Sequence, residues 1–121
     1  MKKVLYSEKP SVFQSYKSGA VIYRWNIVEV PAEDEMKTSQ WSCNEITVYE
    51  PIDKEILTKE VIISLWDNEL EKKLINDYNA ARNNLYDAVV NEKYITAYND
   101  FLIQRKAIKE QIDIDWNICY K

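Results

Sequence analysis

One stretch constrains the fold more than any other, because it runs for 32 residues, Thr58–Val89, without a glycine or a proline. Its apolar side chains recur at intervals of four or three residues, which places them on one face of an α-helix. They are Ile62, Trp66, Leu70, Leu74, Tyr78, Ala81, Leu85 and Val89. A continuous helix of this length would measure about 48 Å. A small sheet cannot cover that length, so the sequence predicts a second helix, or another chain, along it.

The same stretch contains signals for a break near its start. Thr58 belongs to a residue type that caps helices, so we expect the helix to begin there. Three further capping types lie inside the stretch, namely Ser64, Asp67 and Asn68. Asn68 and Glu71 also have the spacing of a weak capping box. A continuous helix and a pair of helices, Lys59–Leu65 and Asp67–Val89, both fit this pattern, and we favour a kink or a short break.

A second helical stretch begins after Asn91, a residue that can both end one helix and cap the next. Residues Glu92–Gln111 keep the helical spacing, and the stripe runs on to Ile112. It consists of Tyr94, Tyr98, Phe101, Arg105, Ile108 and Ile112. Arg105 is its one charged member, and we interpret it as a boundary position whose aliphatic stem lies on apolar surface. Because the link is short, the two helices are predicted to pack antiparallel.

The last residues of the chain change period. From Ile112 to Tyr120 apolar and polar residues alternate strictly, which is typical of an extended segment with one apolar side. The candidate partner-binding residues of this segment are Ile114, Trp116, Ile118 and Tyr120. We expect the segment to add a strand to the sheet of its own chain, and strand addition to a neighbouring chain is the alternative. Asp113 and Asp115 would then face solvent.

The first half of the chain has the pattern of short antiparallel strands separated by turn residues. The predicted strands are Lys3–Ser7, Val12–Tyr16, Ala20–Val30 and Trp41–Glu50, interrupted or closed by Pro10, Pro31 and Pro51. Gly19, the single glycine, predicts a hairpin between the second and third strands. In the third strand the more apolar face, which we place against the helices, carries Val21, Tyr23, Trp25 and Ile27. A bulge near Asn44–Glu45 would bring the apolar residues of the fourth strand onto one face.

The predicted fold is therefore α+β: a small antiparallel sheet of three or four strands, then a long antiparallel helical hairpin and an extended C-terminal segment. We expect the 121 residues to form a single domain, because the chain is too short for two cores. Residues 1–51 form its β-rich part, residues 52–111 the hairpin and residues 112–121 the tail.

The residue types present predict no catalysis. Histidine is absent and glycine occurs once, so the usual base near neutral pH and a glycine-rich phosphate loop are both missing. Cys43 and Cys119 cannot supply the four ligands of a zinc site. Two buried free thiols are the favoured interpretation, and a disulfide is the alternative. The acidic run Glu33–Glu35 has the character of a solvated loop. We expect no catalytic, metal-binding or cofactor-binding residue, and no cofactor.

Charge and hydropathy narrow the class of partner. The formal charge of -4 implies no basic face for nucleic acid. No apolar stretch has the length of a signal peptide or of a membrane span, so we expect neither. Most of the aromatic side chains fall on predicted core stripes. Those left in part for recognition include Trp41 and Tyr16, which we take as further candidate partner-binding residues.

Three fragments together resemble small proteins associated with tailed bacteriophages and prophages of gut Bacteroidales. They are Tyr23–Asn26, Trp41–Val48 and the run from Trp66 through Ala80. The closing Phe101–Lys109 is similar to the end of tail-fibre assembly proteins, where such a helix precedes an acidic, aromatic tail. The resemblance implies a virion-associated or tail-assembly protein, located in the cytoplasm of the bacterial host or in the assembled virion. It implies no site residue.

The sequence thus predicts a non-enzymatic, phage-derived structural or assembly protein that acts through protein–protein contacts. Its partners would be other phage structural proteins or further copies of itself, with neither nucleic acid nor membrane involved. One alternative is an intracellular adaptor or inhibitor that binds a host protein. A carbohydrate-binding module is the third hypothesis, and it would use the aromatic side chains Trp41 and Tyr16.

Overall fold

The computed structural model describes residues 3–33 and 38–120. Within them, four strands precede three helices, as predicted for an α+β domain. The strands are β1 (Val4–Tyr6), β2 (Phe13–Ser15), β3 (Ala20–Val30) and β4 (Gln40–Tyr49). The helices are α1 (Lys54–Leu65), α2 (Asn68–Arg82) and α3 (Ala88–Cys119). The strands form one antiparallel sheet in the order β1-β4-β3-β2, which confirms the predicted fold class. Asp34 and Glu35 of the acidic loop lie outside the described residues.

The hairpin between β2 and β3 turns at Gly19, as predicted. Gly19 has φ of 90°, a backbone conformation that side chains with a Cβ rarely adopt. Its amide donates to the Tyr16 carbonyl at 3.0 Å, and the Tyr16 amide donates to the Ala20 carbonyl at 2.9 Å. The turn thus pairs β2 with β3 through Phe13 and Tyr23.

One face of the sheet carries the core. Val21, Tyr23 and Trp25 of β3 lie there, as predicted, together with Val48 of β4. The helical side chains that pack on them are Leu57, Val61 and Ile62 of α1 and Ile108 and Ile112 of α3. At about 1.5–3 kcal/mol for each large apolar side chain, their burial is the main stabilising contribution of this region.

The predicted bulge lies in the other strand. The ladder runs in register from Ala20 to Trp25 and shifts before Val28, so Asn26 and Ile27 of β3 stand opposite Cys43 of β4. Asn26 adopts φ of 53° at this point. The prediction of a bulge near Asn44–Glu45 is therefore wrong. Ile27 is half-buried and lies outside the core cluster.

Both faces of β4 are covered, which explains why its apolar residues do not share one face. Strands β1 and β2 are the two edges of the sheet, so residues 7–12 between them cross over it. Lys9 lies 5.5 Å from the centre of the Trp41 ring, and the Ser11 carbonyl accepts from Arg24 Nη1 at 3.0 Å. Because these side chains lie on the face away from the helices, the crossing segment covers that face.

The break in the first long helical stretch is confirmed, with Asp67 among its capping residues, and the cap of the first helix differs from the one predicted. Helix α1 ends at Leu65 and α2 begins at Asn68. The N-caps are Asp53 and Asp67, whose carboxylates accept from Ile56 N and Leu70 N, each at 2.8 Å. Thr58 lies inside α1, where its hydroxyl donates to the Lys54 carbonyl at 2.7 Å. The predicted cap at Thr58 is therefore wrong.

The prediction of an extended C-terminal segment is wrong as well, because α3 continues without interruption to Cys119. In helical geometry the alternating residues separate onto different sides. Ile112 is fully buried, whereas Ile114 and Ile118 are exposed. Asp115, expected at a solvent-facing edge, is buried and accepts from the Tyr23 hydroxyl at 2.6 Å. Gln111 Nε2 donates to the second carboxylate oxygen of Asp115 at 3.0 Å.

Helices α1 and α2 both run antiparallel to α3. Lys54 at the start of α1 pairs with Asp113 at 3.2 Å, and Trp66 beyond its end packs edge-on against Phe101 at 5.1 Å. Farther along, Tyr78 of α2 stacks on Tyr98 at 4.3 Å. One helix of 32 residues thus spans two consecutive partners. This arrangement agrees with the predicted antiparallel hairpin.

Candidate functional site: the two-helix arm

The fold divides into a body and an arm that share α3. The body consists of the sheet, α1 and residues 103–119 of α3, which enclose the core. The arm consists of α2, the turn 83–87 and residues 88–102 of α3. Helix α2 packs on α3 rather than on the sheet, and its one buried residue is Ala81. On the α3 side of the arm the buried residues are Asn91 and Phe101. At about 1.5 Å per residue, the arm extends roughly 22 Å.

One aromatic pair joins the two helices of the arm, because Tyr78 of α2 stacks on Tyr98 of α3 at 4.3 Å. Tyr98 continues to Phe101 within α3 at 6.1 Å, and Tyr86 of the turn meets Tyr94 of α3 edge-on at 5.4 Å. Such pairs are worth about 0.5–1.5 kcal/mol each beyond the area they bury. The stripe predicted from the sequence therefore does pair the helices through Tyr78. Its last two members do not take part, because α2 ends at Arg82, before Leu85 and Val89.

The turn between the helices is fixed by asparagines. Asn84 adopts φ of 57°, which Asn tolerates better than most residues. Asn91 lies inside α3, and its amide nitrogen donates to Asn84 Oδ1 at 2.7 Å and to the Tyr86 carbonyl at 3.0 Å. Its amide oxygen accepts from Tyr86 N at 3.3 Å. The prediction that Asn91 makes the turn is therefore wrong, because Asn91 holds the turn from within the helix.

The end of the arm is apolar and exposed. Leu85 is 71% exposed and Val89 is 79% exposed, and the Tyr86 ring beside them is also accessible. Asp87 caps α3 by accepting from Val90 N at 2.9 Å. We call Leu85, Tyr86 and Val89 the arm tip. Large apolar side chains grouped at the end of a projecting hairpin have the character of a contact surface for another protein.

The four candidate residues of the C-terminal segment fall into two groups. Trp116 and Tyr120 stack on each other at 4.4 Å and pack edge-on against Phe13 of β2, at 6.3 and 5.0 Å. They attach the end of α3 to the edge of the sheet within the chain. Ile114 and Ile118 point away from the body and are exposed.

Trp41 and Tyr16 do not form one platform. Tyr16 belongs to the hairpin turn beside Ala20, which pairs with Tyr49. Trp41 pairs with Glu29 near the opposite end of the same ladder, about 27 Å away at the rise of a strand. Trp41 is also half-buried beneath Lys9. A sugar that stacked on both rings would have to span the whole sheet.

A buried polar cluster on the back of the sheet was not predicted. Arg24 is buried, and its guanidinium donates to Tyr6 Oη, Gln14 Oε1 and the Ser11 carbonyl, at 2.7–3.3 Å. It also lies 3.5 Å from the Glu45 carboxylate, which accepts from the Tyr6 hydroxyl at 2.7 Å. The cluster joins β1, β2, β3 and β4, so it acts as a structural clasp. The sequence signal that could have indicated this cluster is Arg24, a charged residue inside a predicted strand that pairs with Glu45 of the next strand.

The two cysteines do not form a disulfide, and Cys43 is not poised for nucleophilic chemistry. Both thiols are free, Cys43 buried in the sheet and Cys119 exposed near the end of α3. Burial, with a smaller contribution from Glu45, raises the pKa of Cys43, which disfavours the reactive thiolate. Among residues 3–33 and 38–120, no group of three or more acidic or cysteine side chains is arranged to hold a metal ion. In the same residues no helix has an apolar run long enough to cross a membrane.

A groove lies between α1, the start of α2 and α3, with a volume of about 490 Å³. Its walls carry charges of both signs over the apolar side chains of Ile62 and Ile63. Arg105 lines it as a boundary residue, and its Nε is buried without a hydrogen-bond partner in the described part of the chain. Because four basic and three acidic residues share the lining, the groove favours no charge class of ligand.

Comparison of the chain with protein-family models, with curated proteins and with solved structures found no match.

Proposed function

We propose that the protein is a non-enzymatic, phage-derived structural or assembly protein that works through protein–protein contacts made by the arm. The observation that carries the proposal is the arm tip, where Leu85 and Val89 lie exposed at the end of a hairpin that leaves the sheet. The sequence resemblance to tail-associated proteins supplies the phage context. The partner is then another virion or tail component.

The construction of the molecule supports a contact role for the tip. The body anchors one end of α3 in a core, the Tyr78–Tyr98 stack joins α2 to α3, and Tyr86 of the turn packs on Tyr94. The turn is held by three hydrogen bonds of Asn91. The apolar tip is therefore presented in a defined geometry, which lowers the entropy lost on binding.

The proposal is tested by site-specific photo-cross-linking in the bacterium that carries the chain. A photoreactive amino acid replaces Leu85 at the tip, and the matched control carries it at Glu60, an exposed position on α1 of the body. A tail or virion protein cross-linked from the tip and not from Glu60 supports the proposal. A host regulatory protein in that place supports the adaptor alternative instead, and equal labelling from both positions contradicts a role for the tip.

A charged substitution at the arm tip provides a second test. Leu85→Asp should weaken capture of that partner at least tenfold, because a desolvated carboxylate opposes apolar contact. Its free energy of unfolding should change by no more than about 0.5 kcal/mol, since Leu85 packs on little. Thr96→Asp adds the same charge at an exposed position elsewhere on the arm and should leave capture unchanged. Equal loss of capture in both variants would refute the assignment.

The neighbouring genes offer an independent test of the phage context. Tail or baseplate genes beside this one support an assembly role. A neighbourhood of chromosomal metabolic genes would contradict the phage-derived part of the proposal without touching the contact role of the arm.

A further inference from the structure

A second exposed surface lies on α3, on the side opposite the core. Ile103, Ile114 and Ile118 are 67%, 55% and 75% exposed, and Ala107 is exposed between them. At 100° per residue these four side chains fall within about 60° of one another around the helix axis. The buried residues Phe101, Ile108 and Ile112 point to the other side. We call the four exposed residues the back stripe.

The apolar character of the back stripe is unusual for a helix face that is exposed to solvent. A helix in water normally places its apolar residues on one side, and α3 already buries such a side against the body and α2. The back stripe is a second apolar line, about 22 Å long at the helical rise. Nothing among residues 3–33 and 38–120 packs over it, as the exposure of its isoleucines shows.

The spacing of the back stripe fits an antiparallel copy of itself. Ile103, Ala107, Ile114 and Ile118 are separated by four, seven and four residues, so the line has the same intervals in both directions. A second helix laid antiparallel over it puts Ile103 opposite Ile118 of the copy and Ala107 opposite Ile114. Each large side chain of the second pair then meets a small one, which allows close packing. Such two-fold self-complementarity is what a symmetric dimer requires.

Charges beside the stripe agree with the same register. Lys106 and Asp113 both lie on one flank of the stripe, and their side chains are 80% and 54% exposed. Within the chain Asp113 already pairs with Lys54 at 3.2 Å, so its contact with the second chain would add to that exposed pair. In the antiparallel arrangement each flank meets its own copy, so Lys106 lies within about two residues of Asp113 of the second chain. The symmetry produces this contact between opposite charges twice. Glu110, near the two-fold axis, faces its copy and is partly balanced by Lys106 at 4.0 Å.

We infer that a second copy of this chain docks on the back stripe, α3 against α3, in antiparallel orientation. The contact is confined to about 22 Å of one helix. It therefore falls below the size of a standard stable interface, and the dimer dissociates on dilution. This dimer does not depend on the role of the arm tip, because the tip lies in the turn and the first residues of α3, whereas the back stripe begins at Ile103.

Sedimentation velocity of the full chain over a range of concentrations tests the dimer. The wild type should shift from monomer to dimer, and Ile114→Asp should raise the dissociation constant at least tenfold. Leu85→Asp, the same change at the arm tip, should leave that constant unchanged. Glu110→Gln should tighten the dimer, because it removes a like-charge contact at the two-fold axis. A wild type that stays monomeric throughout, or equal effects of Ile114→Asp and Leu85→Asp, would overturn the inference.

Engineered cysteines test the register. In a Cys119→Ser background, Glu110→Cys should give a disulfide-linked dimer, because the two copies of this position meet at the axis. Ile103→Cys alone should not, since its two copies lie about 22 Å apart. Adding Ile118→Cys to Ile103→Cys should restore the cross-link. Equal cross-linking by Glu110→Cys and Ile103→Cys would overturn the antiparallel register, whereas failure of Leu85→Asp to affect partner capture would bear only on the arm tip.

Discussion

The body and the arm are built around the same helix but are stabilised in different ways. In the body, residues 103–119 of α3 enclose fully buried side chains with α1 and the sheet, and Asp115 bonds Tyr23 across the core. In the arm, α2 and residues 88–102 meet through the Tyr78–Tyr98 stack, and most of the side chains are exposed. This difference suggests two separate roles: the body provides most of the stability of the fold, and the arm makes the contacts with a partner protein.

A matched pair of substitutions on α3 tests that division most strongly. Ile112→Ala removes a fully buried side chain from the body and should lower the free energy of unfolding by about 3 kcal/mol. Ile95→Ala makes a similar change at a half-buried position of the arm and should cost about 1 kcal/mol. Urea denaturation measures both. Equal losses would mean that the two halves of α3 are equally packed.

Removing one hydroxyl from the core should have the next largest effect. Tyr23→Phe keeps the ring but leaves the buried Asp115 carboxylate with Gln111 as its remaining donor. A lost hydrogen bond to a charged group costs about 2 kcal/mol, and urea denaturation at neutral pH measures it. Tyr86→Phe in the arm is the control, because that ring keeps its contact with Tyr94. An equal loss in the control would show that the core pair contributes nothing special.

The same tyrosine should make the body sensitive to alkaline pH. Burial, reinforced by the hydrogen bond to Asp115, raises the pKa of Tyr23 well above its ordinary value near 10. Because the folded state favours the protonated phenol, this stabilisation is complete below pH 10 and is lost as the pH rises beyond it. Unfolding free energies measured from pH 8 to 11 should fall at the upper end, and Tyr23→Phe should flatten the fall. An unchanged slope in the variant would contradict this assignment.

Removing the Asn91 side chain, which holds the turn of the arm, should have a smaller and local effect on stability. Asn91→Ala deletes three hydrogen bonds that hold the turn 83–87 and should cost about 1 kcal/mol. Since the change lies far from the core, the chemical shifts of body residues such as Val61 should stay in place, while those of Leu85 and Tyr86 should move. Widespread shifts in the sheet would show that the arm and the body fold as one cooperative unit.

Several parts of the fold were predictable because local signals agreed with the tertiary structure. Gly19 marks the hairpin, and the capping types around Asp67 mark the break between α1 and α2. The antiparallel pairing of helices follows from stripes that meet at Tyr78 and Tyr98. The α+β class needed no more than these patterns, since the first half of the chain has strand periods and most of the second half has helical ones.

Other parts depended on contacts that no local pattern contains. The strict alternation of apolar and polar residues from Ile112 to Tyr120 predicted an extended segment, in which Asp115 would face solvent. Once Tyr23 supplies a partner for its carboxylate, Asp115 can lie inside the core, and the same residues fit a helix. The absence of glycine and proline after Asn91 was the signal that favoured the helix. Among the candidate partner-binding residues, Ile114 and Ile118 are exposed, and Trp116 and Tyr120 pack on Phe13.

The exposure of the arm tip was not predicted from the sequence, for a similar reason. Its residues continue the apolar stripe of the preceding helix, so Leu85 and Val89 were expected to pack against the second helix. Asn83 and Asn84 end that helix early, and Asp87 starts the next one. These are ordinary stop and start residues, and weighing them above the stripe would have identified the exposed tip.

Hydrogen–deuterium exchange along α3 tests the division between body and arm most directly, because it compares two halves of one continuous helix. At a protein concentration where the chain is monomeric, amides of residues 104–116 should exchange only through global unfolding. Amides of residues 90–100, together with those of α2, should exchange at least tenfold faster through local opening of the arm. Uniform protection from one end of α3 to the other would contradict the account, since the arm would then be as firmly held as the body.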